Sequence, residues 1–173
     1  MTKILSREFF NEPVLKIAPK LLGKYLIRKI DNQEIALQIT EIEAYDGMND
    51  LACHACKGKT KRNKVMFGPA GCFYLYLIYG MYWMLNIVTG PKDYPAAILI
   101  RGTKEISGPG RLTKKLKLDK NFNTKTALPE NNLWFEDRDI KVLKKDIIQT
   151  SRIGVNYAGP LWAKKPYRFL LKK

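Results

Sequence analysis

Histidine and cysteine are scarce in this 173-residue chain: His54 stands alone, and the thiols are Cys53, Cys56 and Cys72. An odd cysteine count with two in one short loop excludes a disulfide framework. Cys53-His54-Ala55-Cys56 has the spacing of half a zinc site, but a closed site needs four convergent ligands. Only Cys72 and His54 remain, and His54 is pinned between the two cysteines, so ordinary thiols and no metal are expected. Acidic residues are scarce too, 16 against 31 Lys and Arg, for a net charge of +15. With 46% hydrophobic residues the chain can build a core, which excludes a disordered tail. Its charge points to an extended anionic partner, nucleic acid or an anionic membrane surface. Repeats and low-complexity tracts are absent, and the length suits one domain over residues 1–173. Met1 to Arg7 lacks a signal-peptide core and no lipidation box follows Lys173. A cytoplasmic location, at the nucleoid in a bacterium, is therefore expected, without a membrane partner.

Gly71 to Val88 is the one long stretch without charge, and four tyrosines and one asparagine interrupt it. Gly80 sits mid-run, and the apolar segments on either side are too short to cross a bilayer. Aromatic and branched residues flanking a glycine predict a β-hairpin turning near Gly80, with Tyr79 at its tip. A large aromatic at a tip is poorly placed to join the core and wants an external partner; the plainer reading is a core hairpin with a half-exposed tyrosine.

Before the hairpin, helices are expected over 7–10 and about 12–22, the second with Pro13 in its first turn and Gly23 at its end. Strands follow over 24–30 and about 34–45, around an Asp31-Asn32 turn. In the second, Ile35, Leu37, Ile39, Glu41, Glu43 and Tyr45 are expected on one face. Residues 46–69 read as loop, carrying Lys57, Lys59, Lys61, Arg62 and Lys64. Basic residues beside aromatic ones suit a nucleic-acid surface, although a charge run is usually only a solvated face. Beyond the hairpin come a strand over 94–101, a basic helix over 109–118 and short strands over 132–136, 142–150 and 167–171. The Gly108-Pro109-Gly110 entry to that helix exposes N–H groups suited to a phosphate.

Glu43 shares its expected face with Tyr45, so a carboxylate and an aromatic ring project together. Glu41, two residues away, would raise one carboxyl pKa by like charge. The plainer reading is an exposed polar strand end. Tyr45, His54, Tyr74, Tyr76, Tyr79 and Tyr82 crowd the same third of the chain.

In order, Thr40-Glu41-Ile42-Glu43-Ala44-Tyr45, Ala52-Cys53-His54, Arg62-Asn63 with Met66-Phe67, Tyr74 to Tyr82, and Asn86 resemble the alkyladenine DNA glycosylase family, the 3-methyladenine glycosylases without a helix-hairpin-helix. Leu99-Ile100-Arg101, Gly108-Pro109, Arg152-Ile153-Gly154-Val155, Ala158-Gly159 and Lys165 to Phe169 extend the match over nearly the whole chain. The resemblance implies an α+β domain with a curved antiparallel sheet and a protruding hairpin. It implies a monomeric, cofactor-free enzyme that starts base excision repair on damaged duplex DNA. By it, Tyr79, with Met81 beside it, enters the minor groove in place of an extruded nucleotide. Tyr45, His54 and Tyr76 sandwich the flipped base, and Asn86 disfavours guanine by crowding its 2-amino group. Glu43 activates water, which Arg101 and the backbone of Val155 help to hold. The lysine-rich loop suits the phosphate backbone. Lys61 departs from the family, which usually has proline there.

Two hairpin registers are open. A two-residue turn at Gly80-Met81 pairs Tyr76 with Leu85 and puts Asn86 on the opposite face. A three-residue loop pairs Tyr76 with Asn86, which a shared pocket and the resemblance favour. An alternative function is a non-catalytic minor-groove or RNA-binding module with the same wedge and basic loop. A pure binder, however, gains nothing from a carboxylate beside an aromatic pocket that faces a polyanion.

Overall fold

The alternation in the first third of the chain folds into the widest part of a sheet. The computed structural model describes residues 2–172. Its strands are Lys3–Ile4 (β1), Tyr25–Ile30 (β2), Gln33–Asp46 (β3), Phe73–Ile78 (β4), Tyr82–Thr89 (β5), Ala96–Thr103 (β6), Leu133–Asp137 (β7), Ile147–Thr150 (β8) and Arg168–Leu171 (β9). Among the described residues they form one open sheet in the order β1-β7-β2-β3-β6-β5-β4, and β9 joins β3 to β8. Every pairing is antiparallel. Four short helices, Arg7–Phe10 (α1), Val14–Leu21 (α2), Pro109–Lys115 (α3) and Gly159–Ala163 (α4), complete an α+β fold.

Helix α2 follows Pro13 directly and buries Val14, Ile17, Ala18 and Leu21 in the main core. Burying each larger aliphatic side chain contributes about 1.5–3 kcal/mol before ordering costs. Two boundaries and one backbone group differ from the sequence reading. Helix α3 stops at Lys115 instead of 118, because Lys117 takes a left-handed φ of 50°. The strand expected over 142–150 begins only at Ile147, after a single 3-10 turn at Lys144–Asp146. At the entry to α3, the Gly108 N–H donates to the Arg101 carbonyl and is not free for a phosphate.

Strand β3 corrects the expected sharing of one face. Leu37 and Ile39 are in the core, as alternation requires, but beyond them Ile42 and Ala44 occupy it. The pairing with β6 slips between Ile39 and Ile42, where Glu41 lies opposite Gly102. This bulge shifts the alternation by one residue, so the odd-numbered residues after it leave the core side. Glu43 and Tyr45 are thereby turned towards a second, smaller cluster built on the loop 52–67. Beyond the bulge, β3 lies between β6 and β9 and has no free edge at residues 41–43.

Strands β4 and β5 form the protruding hairpin, with a three-residue loop of Tyr79, Gly80 and Met81. Both expected registers are off: Ile78 pairs with Tyr82, Tyr76 with Met84 and Tyr74 with Asn86. The Met81 N–H donates to the Ile78 carbonyl, and Tyr79 and Gly80 both have positive φ, 50° and 67°. Starting the turn on Tyr79 moves the loop one residue earlier than a glycine-first reading. Tyr76 and Asn86 still share a face, as diagonal neighbours. Helix α3 braces the hairpin's return strand: Thr113 Oγ1 donates to the Trp83 carbonyl at 2.8 Å. Gly110 lets Tyr82 pack on the helix, since a Cβ there would sit 2.7 Å from the Tyr82 ring.

Tyr79 is 85% exposed. Tyr79→Ser should therefore leave stability within about 0.5 kcal/mol of the parent, as for other surface changes. Chemical denaturation measures this. A loss of about 3–5 kcal/mol, the cost of deleting a buried aromatic, would mean that the ring belongs to the core.

Candidate active site

The bulge in β3 aims Tyr45 at a narrow cleft. Its walls include Tyr45, His54, Tyr74, Tyr76, Asn86 and Tyr157. Strands β4 and β5 supply Tyr74, Tyr76 and Asn86, and the loop after β3 supplies His54. The His54 ring meets that of Tyr76 edge-on at 4.5 Å between centroids. His54 Nδ1 and the Tyr74 hydroxyl share a 2.9 Å hydrogen bond. Burial, helped by the nearby Arg62 cation, pushes His54 down to about 4, so the cleft carries a neutral imidazole at physiological pH. Asn86 donates its amide hydrogens to the Tyr74 and Met84 carbonyls at 3.1 and 3.2 Å, which fixes the side chain on the cleft wall.

Glu43 is fully buried behind the Tyr45 hydroxyl, contrary to the reading of an exposed strand end. One carboxylate oxygen accepts from that hydroxyl at 2.9 Å; the other accepts from the Ile153 N–H at 2.7 Å. Arg101 Nη1 lies 3.5 Å from the second oxygen. Burial raises the Glu43 pKa above the ordinary carboxylate value, opposed by Arg101, the Ile153 N–H, the Tyr45 hydroxyl and Arg152. Like-charge repulsion from Glu41, expected from the spacing, is not the cause: Glu41 is itself paired with Arg101 and Arg168. Tyr45 is raised well above its ordinary value by burial and the adjacent carboxylate, so its hydroxyl stays protonated and donates.

The sequence-expected residues fall into four groups. Glu43 and Arg101 meet behind Tyr45, which lines the cleft together with His54, Tyr76 and Asn86. Val155 is buried near Tyr45 and Ala52, and its carbonyl accepts from the Ala158 N–H. Tyr79 and Met81 stand exposed at the hairpin tip, three strand residues or about 10 Å beyond Tyr76. Lys57, Lys59, Lys61, Arg62 and Lys64 are exposed, and no carboxylate pairs with them among the described residues. Arg62 also turns inward, its guanidinium 5.3 Å from the Tyr76 ring centre. Lys61 does not leave the loop slack. Asn63, 1% exposed, donates to the His54 and Gly58 carbonyls and accepts from the Thr60 N–H.

Other contributors were not read from the sequence. Asp50 and Arg152 form a fully buried two-pronged ion pair. Asp50 also accepts from the Asp46 and Ala52 N–H groups. Arg152 donates to the Ala44 carbonyl and places its guanidinium 4.8 Å from the Tyr45 ring centre. Arg152-Ile153-Gly154-Val155 stood out as a motif, but nothing marked Asp50 as its partner. Tyr157, whose hydroxyl donates to the Ala52 carbonyl at 2.9 Å, adds a rim to the cleft. Its only sequence signal is an aromatic between two glycines. Cys53 is buried, and burial pushes its thiol up to about 12. Among the described residues, no three His, Cys, Asp or Glu side chains converge as a metal site.

The methylpurine-DNA glycosylase family profile matches residues 8–107 and 102–173. The chain is 42% identical over 186 residues to a protein of Methanocella arvoryzae, covering 96% of this chain and 91% of that one. It is 42% identical to a Legionella pneumophila (strain Corby) protein over 175 residues, with 97% and 94% covered. A Borreliella burgdorferi (strain ZS7) protein gives 42% over 180 residues, with 97% and 96% covered. All three carry the name "Putative 3-methyladenine DNA glycosylase".

Because the chain has a single histidine, its ring signals in an NMR titration are unambiguous. They should titrate near pH 4. A midpoint near the ordinary value of about 6.5 would place His54 in solvent.

Proposed function

The chain belongs to the methylpurine-DNA glycosylase family, and we propose that it flips damaged purines, alkylated or deaminated, out of duplex DNA and hydrolyses their N-glycosidic bond. The observation that carries this reading is the buried Glu43 carboxylate behind the wall of an aromatic cleft, bridged to it by the Tyr45 hydroxyl. A module that only binds DNA gains nothing from holding an acid there.

Extruding a base costs roughly a few kcal/mol. Tyr79 and Met81 are exposed and projecting, so they can fill the vacated stack while Tyr45, His54 and Tyr76 enclose the base. Stacking contributes about 1–3 kcal/mol per base. A purine alkylated at N3 or N7 is cationic, which the tyrosine faces attract. The neutral imidazole of His54 does not repel it. Asn86, locked by its two amide hydrogen bonds, crowds the edge where guanine carries its 2-amino group.

In the reaction, water oxygen bonds to C1′ as the C1′–N bond breaks and its electron pair leaves with the base. A cationic purine departs neutral and needs no acid; a deaminated purine departs as the anion and takes its proton from solvent. Glu43 takes the water proton and, while ionised, stabilises positive charge on the sugar. Each Glu43 oxygen uses one lone pair on a protein donor and keeps another for water. Arg101 and the Val155 backbone help to hold that water.

Glu43→Gln should bind methylated duplex at least as tightly as the parent while excision falls by at least about 10²-fold, the lower value of a general base. Released bases are assayed by chromatography. In the parent, excision should fall as pH drops through the raised Glu43 pKa, because protonation removes the base. His54 is already neutral there, and the glutamine variant should lose this limb. Excision retained within a few-fold would remove Glu43 from the mechanism.

If the exposed lysines meet phosphates, duplex binding should weaken with salt at a log–log slope of about −0.9 per phosphate neutralised. Replacing Lys57, Lys59 and Lys61 together by Ala should flatten that slope by roughly two to three units. An unchanged slope would mean that they face only solvent.

A further inference from the structure

Two carboxylates compete for Arg101. Its Nε donates to Glu41 Oε1 at 3.0 Å, a full hydrogen bond. Its Nη1 stands 3.5 Å from Glu43 Oε1, too far for a normal one. The same Glu41 oxygen accepts from Arg168 Nε at 2.8 Å, so it is fixed from β6 and β9 together. The bulge sets Glu41 opposite Gly102, where a Cβ would approach Glu41 Oε2 to 3.4 Å. Glu41 lines a different cleft, with Gln38, Thr40 and Thr103, and none of the walls around the aromatic one.

We propose that Glu41 is a positioning residue for the reaction, tethering Arg101 so that it stands near Glu43 without closing on it. The inference rests on Glu43 as the base. Released from Glu41, the guanidinium is free to close the gap and form a tight ion pair with Glu43. Such a pair holds the carboxylate ionised but less basic, and it occupies the lone pair that water needs. The charged and titratable groups around Glu43 are Tyr45 and Glu41 on β3, Tyr76 on β4, Arg101 on β6, Arg168 on β9 and Arg152 beyond β8. Removing the Glu41 charge leaves the cations in excess, which favours ionised Glu43.

The test is single-turnover excision from methylated duplex DNA by Glu41→Ala and Glu41→Gln, against pH, with duplex affinity and melting temperature measured alongside. The excision rate should fall roughly 10- to 100-fold, the loss that a misplacement of about 1 Å produces. Duplex affinity should stay within about twofold, since Glu41 touches no cleft wall, and the acid limb should move to lower pH. Glu41→Gln keeps the shape and an acceptor oxygen, so it carries the test if the alanine variant does not fold. A parent-like rate with an unmoved limb overturns the proposal, as does a fall in rate that follows affinity and melting temperature together. Glu43→Gln, assayed in parallel, separates the two ideas. If it retains excision, the reading of Glu43 as base fails. If it is inactive while the Glu41 variants match the parent, only the tether fails.

Discussion

The buried ion pair between Asp50 and Arg152 holds together pieces of chain that no strand pairing joins. Asp50 closes the loop after β3 on itself by accepting two backbone N–H groups, and Arg152 draws the segment after β8 against it. With the guanidinium anchored, the next residue, Ile153, presents its N–H to Glu43, and the charge lies over the Tyr45 ring. Removing one partner of such a pair costs about 3–5 kcal/mol, mostly for the charge left unpaired. That penalty makes the placement of the Ile153 N–H and of Tyr45 hard to relax.

Around Glu43 the balance is finer. Full burial disfavours its ionised form, while an arginine, a backbone N–H and a tyrosine hydroxyl favour it. Burial wins enough to raise the pKa but leaves donors in place for the anion. A carboxylate surrounded by closer cations would be ionised and weakly basic; one with no donors would stay protonated. The cleft follows the same logic, with a desolvated, neutral imidazole among tyrosines kept protonated by burial.

Residue type made much of this legible. Tyrosine density, a lone histidine and a carboxylate two residues from a tyrosine pointed to the cleft, and the glycine mid-run pointed to the hairpin. What stayed hidden depends on contacts made far along the chain. The bulge has no glycine in β3 to announce it; the permissive residue, Gly102, is on the partner strand. The hairpin register turns on a tyrosine adopting a positive φ, which propensity argues against. Helix α4 has only five residues, too few for periodicity. Asp50 looked like any loop acid until Arg152 arrived from the other end of the sequence.

The bulge also sets a rule for how this gene can change length. Upstream of it, β3 sends odd-numbered residues to the core; downstream, even-numbered ones. A one-codon deletion at the bulge would restore simple alternation and leave Ile42 and Ala44 on the core side, but β3 would run one residue out of step with β6, since the Ile39–Thr103 and Ile42–Ile100 pairs stand three steps apart on both strands. Glu43 would stay off the core side, and the loss would fall on the register and on the place of Glu41 opposite Gly102. Length change here is therefore tolerated in pairs: one codon lost between residues 39 and 42 calls for one lost between 100 and 103.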